Sequence, residues 1–204
     1  KKDGQDKSED EATSSAPEIE VKEWDPETPY IKEIKSAAKK QQYAIYMKLK
    51  GEWGDRPSFF LDCANLFLKN GDKKLGLRIL TNIAELRLDD PALLRILAHR
   101  LEQLELLELA QGVFEQVLRL RPEEPQSLRD LGLLLGRRGE YAKAIKHLYE
   151  VITTKWDRFE EIELPVLMEL NRLADIADKA GVKYEAIDER LRKLLDVDVR
   201  IVLT

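Results

Sequence analysis

Large apolar residues first recur at helical spacing in the stretch Ile31, Ile34, Ala38, Ile45 and Leu49. Thr28 followed by Pro29 and Glu33 marks a helix start with proline in the first turn, and Gly51 or Gly54 marks an end. The pattern predicts one long helix or two short ones, and residues 23–56 read as an N-terminal capping unit. Residues 1–22, KKDGQDKSEDEATSSAPEIEVK, hold almost no large apolar side chain. Such a segment cannot bury enough surface to offset its ordering entropy, so it reads as a disordered linker.

From Pro57 the apolar pattern repeats. Pro57, Pro91 and Pro125 lie 34 residues apart, and each opens a block of matching chemistry. Phe60, Leu94 and Leu128 align, as do Cys63, Leu97 and Leu131, the small residues Ala64, Ala98 and Gly132, and then Phe67, Leu101 and Leu135. Further on, Gly76, Ala110 and Ala144 supply a second small position, followed by Leu80, Phe114 and Leu148 and by Ile83, Val117 and Val151. Two helices approach closely only where side chains are small, with large residues filling the flanks. One such pair cannot bury its own apolar face, so neighbouring pairs must stack. Asn70-Gly71-Asp72 and Arg138-Gly139-Glu140 fall between the helices of their blocks, whereas the middle block has Glu105 there instead of glycine. Asp89-Asp90-Pro91 and Pro122-Glu123-Glu124-Pro125 separate the blocks.

After Trp156 the period is lost. Leu167, Leu170, Leu173, Ala174 and Ala177 predict a helix between Leu164 and Ala180, ended by Gly181. Ile187, Leu191, Leu194 and Leu195 predict a last helix over Tyr184–Leu195. Solenoids need end units that cover the last repeat, and residues 159–196 are assigned that role. In the final residues, 197–204, Val197, Val199, Ile201 and Leu203 alternate with Asp198, Arg200 and Val202, a strand pattern. A lone strand is unstable in water. It is expected to be the first strand of a following domain, or else to pair with a second copy of the chain. The first residue is Lys, not Met, and the chain is expected to be a piece of a longer or processed one.

The three blocks, residues 57–158, resemble the tetratricopeptide repeat, whose 34-residue period runs large-x-x-Leu-Gly/Ala-x-x-large, then Ala-x-x-x-Phe, then Pro. The resemblance implies an all-α, right-handed solenoid of three helix hairpins (57–90, 91–124 and 125–158) with capping helices and a short terminal strand. Trp24-Asp25-Pro26-Glu27-Thr28-Pro29-Tyr30, ELRLDDPALLRILAHRLEQL, LRLRPEEPQSLRDLG and Asp196–Thr204 extend the likeness over residues 23–204. These segments look like the helical-repeat region of large bacterial proteins with a vault/inter-alpha-trypsin domain and a von Willebrand A domain upstream, and a β-rich domain downstream. That resemblance implies an exported or envelope-associated scaffold, outside the cytoplasm.

The chain has 204 residues, 43% hydrophobic and 36% charged, with a net charge of −5 at pH 7. That balance argues against sequence-independent nucleic-acid binding, which needs many phosphate-neutralising cations. No apolar run approaches the ~18–20 residues of a membrane span, so no direct membrane insertion is expected. Cys63 is the single cysteine, which excludes an internal disulfide or thiolate cage, and its alignment with Leu97 and Leu131 predicts a core position. His99 and His147 fall in different blocks, and His99 with Glu102 gives two ligands where structural zinc takes four. No glycine-rich phosphate loop and no Ser/His/Asp set can be proposed, so the chain reads as non-catalytic, without cofactor or metal.

Binding is the stronger reading. In a stacked solenoid the first helices line a concave surface. The 34-residue register sets Asn65, His99 and Leu133 in one row, Leu61, Arg95 and Arg129 in a second, and Lys69, Gln103 and Arg137 in a third. Arginine forks favour carboxylates and backbone carbonyls. Asn65, Lys69, Arg95, His99, Arg129 and Arg137 therefore outline a groove for a peptide or neighbouring domain carrying acidic groups. In the competing reading these arginines pair with Glu102 and neighbouring carboxylates and merely solubilise the face. Tetratricopeptide domains that hold chaperone C-termini use a cluster of Lys, Asn and Arg in this groove. Asn65 fits that resemblance, but Leu61, Ile96, Gln126 and Asp130 occupy the other clamp positions, which argues against it. Two further readings stand beside the groove: a structural spacer between flanking domains, and a homodimer through the end helices or terminal strand.

Overall fold

A computed structural model describes residues 27–86, 89–156, 158 and 160–192. Among these residues there are nine α-helices and no strand: α1 Pro29–Ser36, α2 Lys39–Trp53, α3 Pro57–Lys69, α4 Lys73–Leu86, α5 Pro91–Gln103, α6 Leu107–Leu120, α7 Pro125–Arg137, α8 Tyr141–Thr153 and α9 Glu163–Lys179. A 3₁₀ turn, Glu160–Ile162, precedes α9. The linker assigned to residues 1–22 and the strand assigned to 197–204 lie outside the described residues.

Each predicted proline stands at a helix start. Pro57, Pro91 and Pro125 open α3, α5 and α7, where proline's missing N–H would have had no intrahelical partner. Asp90 caps α5 by accepting hydrogen bonds from the Ala92 and Leu93 amides. The helices of each pair are joined by the same tight turn. Asp72 N–H donates to Phe67 C=O and Gly71 N–H to Leu68 C=O, both at 3.0 Å, and the pattern recurs at Glu105–Leu106, Gly139–Glu140 and Gly181–Val182. The turn requires a left-handed residue. Glycine supplies it at 71 (φ +88°) and 139 (φ +77°), and Glu105 adopts it without glycine at φ +59°. The missing glycine of the middle block therefore leaves the turn geometry unchanged.

From α3 onward each helix packs on the next in the chain, within pairs (α3 on α4, α5 on α6, α7 on α8) and then between them (α4 on α5, α6 on α7, α8 on α9), while α1 packs on both α2 and α3. Among the described residues the result is an all-α solenoid of stacked helix pairs. The small positions sit at the crossings: Ala64, Ala98, Ala110 and Ala144 are fully buried. A Cβ on Gly76 would lie 2.5 Å from Leu68 Cγ, so glycine is required for that approach. The core is a ribbon of two apolar clusters, one running from Tyr30 to Ala144 and one from Leu128 to Ala177, with Leu118 and Leu173 touching both. Cys63 is fully buried in the first, as its alignment predicts. Burial, and secondarily the Asp62 carboxylate, pushes its thiol up to about 12.

The register reaches further upstream than the three blocks. Helix α2 starts at Lys39, one period before Lys73, and buries Gln42, Tyr46 and Leu49 at the positions of Gly76, Leu80 and Ile83. The helices assigned to capping thus continue the repeat, with α1 as a shortened first helix. Gln42 hides the relationship in the sequence because it replaces the small residue. Its amide is satisfied by Ala37 C=O and by the Asn70 side chain. Tyr46 stacks on Phe59 at 5.6 Å between ring centres.

The C-terminal end departs from expectation. Helix α9 is present, but no second helix forms within the described part of Tyr184–Leu195, and residues 182–188 follow an irregular path. Competing hydrogen bonds explain the difference. Asp188 Oδ1 accepts from the Arg190 amide, a local turn that takes the place of a helical bond. Asn171 Nδ2 donates to Leu191 C=O at 3.0 Å, and Tyr184 Oη donates to Asp178 at 2.7 Å. The Arg192 guanidinium binds Asp175 at 2.6 Å and Asp178 at 2.8 Å. Val182, Tyr184 and Ile187 pack on the second apolar cluster. A non-helical strap therefore covers α9 where a capping helix was predicted.

Candidate functional site

Helices α3, α5 and α7 carry the predicted groove residues, and polar bonds join each of these helices to the next along the solenoid. Asn65 on α3 accepts a hydrogen bond from Arg100 on α5. Arg95 on α5 reaches the start of α7, where its Nη2 lies 3.1 Å from Glu124 and 3.2 Å from Ser127 Oγ. Its Nε stands 3.0 Å from Asp130 Oδ2, an ion-pair distance but off the hydrogen-bond axis. Arg129 on α7 grips Glu169 on α9 with two parallel bonds, its Nε donating at 2.8 Å. Arg137, at the end of α7, reaches back to Glu102 at 2.9 Å and Glu105 at 2.8 Å. Lys69 ends α3 and is exposed.

His99 is exposed on α5, with its ring edge-on to Phe114 at 5.0 Å. Its Nδ1 is 3.4 Å from Glu102 and its Nε2 is 4.0 Å from Asp130. Asp130 is the buried member of the group, with a side-chain exposure of 4%. Desolvation raises its pKa above the ordinary carboxylate value, opposed by a hydrogen bond from Gln126 and by the charges of His99, Arg95 and Arg129. The Arg129 guanidinium is held further into its charged form, chiefly by the bond to Glu169.

The sequence register points to the arginines but not to their partners Glu124 and Glu169 or to Arg100, and Asp130 stands out there only as a mismatch to the clamp pattern. One signal was available. Asn65 and Arg100, Arg95 and Asp130, and Glu102 and Arg137 are all 35 residues apart. One period plus one residue turns the second side chain towards the preceding first helix. The Arg129–Glu169 pair is 40 apart because a longer connection precedes α9. The three arginines therefore meet internal carboxylates across the repeat boundaries.

Other chemistry is sparse. The described residues contain no cluster of three or more metal-ligating side chains. No helix among them is long and apolar enough to cross a membrane. His147 is half-buried on α8, far along the chain from His99, and burial lowers its pKa.

No protein-family description matches the chain, and no curated protein matches it. Among solved structures it is similar to MamA, with 14% identity over 76% of this chain and 86% of that one and a TM-score of 0.49. A MamA fragment (41-end) from Desulfovibrio magneticus RS-1 is 13% identical over 74% and 83%, with a TM-score of 0.49. The type III secretion translocator chaperone SycD of Yersinia enterocolitica is 18% identical over 61% and 88%, with a TM-score of 0.45.

Proposed function

We propose that the chain is a non-catalytic protein-interaction scaffold whose concave face, lined by Asn65, Lys69, Arg95, His99, Arg129 and Arg137, receives an acidic peptide or a neighbouring domain. The observation that carries this reading is the concentration of guanidinium groups on the first helices of a protein whose net charge is −5. Arg137 is the most accessible of the three arginines, with 43% of its side chain exposed against 24% for Arg95 and 25% for Arg129. An incoming carboxylate engages Arg137 first, in place of Glu105, which is itself 71% exposed. Right-handed stacking, an exported setting and a place within a larger vault/inter-alpha-trypsin and von Willebrand A protein belong to the same proposal and rest on the sequence resemblance.

A second reading is favoured by the bonds just described. Because Arg95, Arg129 and Arg137 each bridge two helix pairs, the same residues fix the angle between repeats, as a spacer requires. A fluorescent oligo-glutamate peptide separates the two. The interaction reading expects salt-sensitive binding that a neutral oligo-glutamine peptide does not show, and that Arg137→Glu weakens at least severalfold. Equal and weak signals for both peptides leave the spacer.

A further inference from the structure

A second surface lies between α2 and α4, lined by none of the concave-face residues. Tyr43, Tyr46, Met47, Lys50, Leu75 and Arg78 border a cavity of about 260 Å³. That is below the ~300–1,000 Å³ typical of small-molecule sites and suits one large side chain of a peptide. Its rim is apolar and open to solvent: Tyr43 is 38% exposed and Met47 49%. One period on, the same positions hold Leu77 and Thr81, and one further on Gln111 and Glu115. The exposed aromatic and thioether pair is confined to the first groove.

The charges of the groove are equally specific. Lys50 Nζ donates to Asn82 Oδ1 at 2.9 Å and lies over the Phe60 ring. Arg78 makes no ion pair among the described residues, and Glu85 stands as the one carboxylate of the lining. Two cations beside an apolar slot fit a segment in which large apolar residues are flanked by carboxylates. The chain contains such a segment: Glu18-Ile19-Glu20-Val21-Lys22-Glu23-Trp24-Asp25. It lies outside the described residues, and its distance along the chain is sufficient. Tyr30 packs on Trp53 at 5.0 Å between ring centres, and Trp53, Lys50, Tyr46 and Tyr43 follow one face of α2. Met47 is six residues, or about 9 Å of helix, from Trp53. Trp24 is six residues from Tyr30, a reach of up to about 20 Å.

We propose that the α2/α4 groove is a docking site for an acidic peptide with an apolar anchor, and that its occupant is this chain's own segment 18–25. Trp24 fills the slot beside Tyr43 and Met47, and the flanking carboxylates face Arg78 and Lys50. The exposed apolar surface of the first helix pair is thereby closed from within the chain, and a partner offering the same chemistry has to displace it.

Tryptophan fluorescence of the full chain tests this, because subtracting the spectrum of Trp24→Phe isolates the emission of Trp24. The expected contribution is blue-shifted and shielded from acrylamide at every protein concentration. In Met47→Glu it moves to the red and becomes severalfold more quenchable, and Arg78→Glu has the same direction with a weaker effect. Both substituted positions are at the surface, and circular dichroism confirms that each variant keeps its helices. Three outcomes overturn the proposal: a solvent-like Trp24 in the unaltered protein, shielding indifferent to Met47→Glu, or shielding that disappears on dilution, which assigns the occupant to a second copy.

Discussion

Glycines at superficially equivalent places do opposite things in this protein. At Gly76 any Cβ would collide with Leu68 Cγ at 2.5 Å, in a contact that brings α3 and α4 together. At Gly112, in the middle of α6, a Cβ meets nothing within 4 Å. Gly76→Ala is therefore expected to destabilise by about 1–3 kcal/mol through overpacking. Gly112→Ala is expected to stabilise by about 0.8–1 kcal/mol, because it restricts the unfolded chain and adds helix propensity at no steric cost. Urea denaturation of the two variants measures both, and a loss of stability in Gly112→Ala would contradict the open space beside α6. Arginine residues divide in a similar way. Arg95→Ala removes the guanidinium that stands 3.0 Å from the buried Asp130 carboxylate and is expected to cost about 1–3 kcal/mol. Arg137→Ala removes a more exposed pair of contacts and is expected to cost under about 1 kcal/mol. Equal midpoint shifts in the two proteins would mean that Asp130 draws its compensation from elsewhere.

Among the elements, the strap over residues 182–192 stands apart because side-chain bonds to α9 hold it, with no helical ladder of its own. Two carboxylates here titrate low, Asp178 of α9, which receives bonds from the strap, and Asp188, which shapes the strap's own turn. Asp178 is held below its ordinary value by hydrogen bonds from Tyr184 and Arg192, and Asp188 is lowered to about 2 by its bonds from Arg190. A group with a depressed folded pKa contributes stability that is complete above its unfolded value of 3.8 and is lost as pH falls through the folded value. Acidification from pH 4 towards about 2 is thus expected to loosen the strap. Hydrogen exchange at the amides of Leu191 and Arg192 should accelerate over that range before exchange in α5 and α7 does. Simultaneous acceleration would show the strap to be inseparable from the repeats. The element comparison also explains where pattern reading failed. Ile187 and Leu191 have helical spacing, yet the side chains of Asp188 and Asn171 offer the backbone partners outside a helix. Periodicity records which side chains are apolar and carries no record of such competitors.

Across the whole molecule, the period of 34 and the prolines at its boundaries were enough to specify the helix pairs, their order and their contact positions. Pro57, Pro91 and Pro125, with Ala64, Ala98 and Gly132 at the crossings, encode this locally: a proline sets a helix start, and a small residue sets a close approach. Gln42 in a small-residue position concealed the upstream pair, since a buried glutamine is tolerated only through partners on other elements, here Ala37 and Asn70. The row of each candidate residue was legible for the same reason as the helix pairs, because the register assigns it. The state of each residue was not. Whether a guanidinium stands open to a ligand or closes on a carboxylate depends on distances between helices 35 or 40 residues apart, as for Arg95 with Asp130 and Arg129 with Glu169. Local chemistry is written into consecutive residues, whereas the pairing of charges across repeats arises only once the pairs have stacked. That is why the chain alone indicated stacked helix pairs with arginines in register, and why only the packed molecule revealed that these arginines meet the protein's own acids.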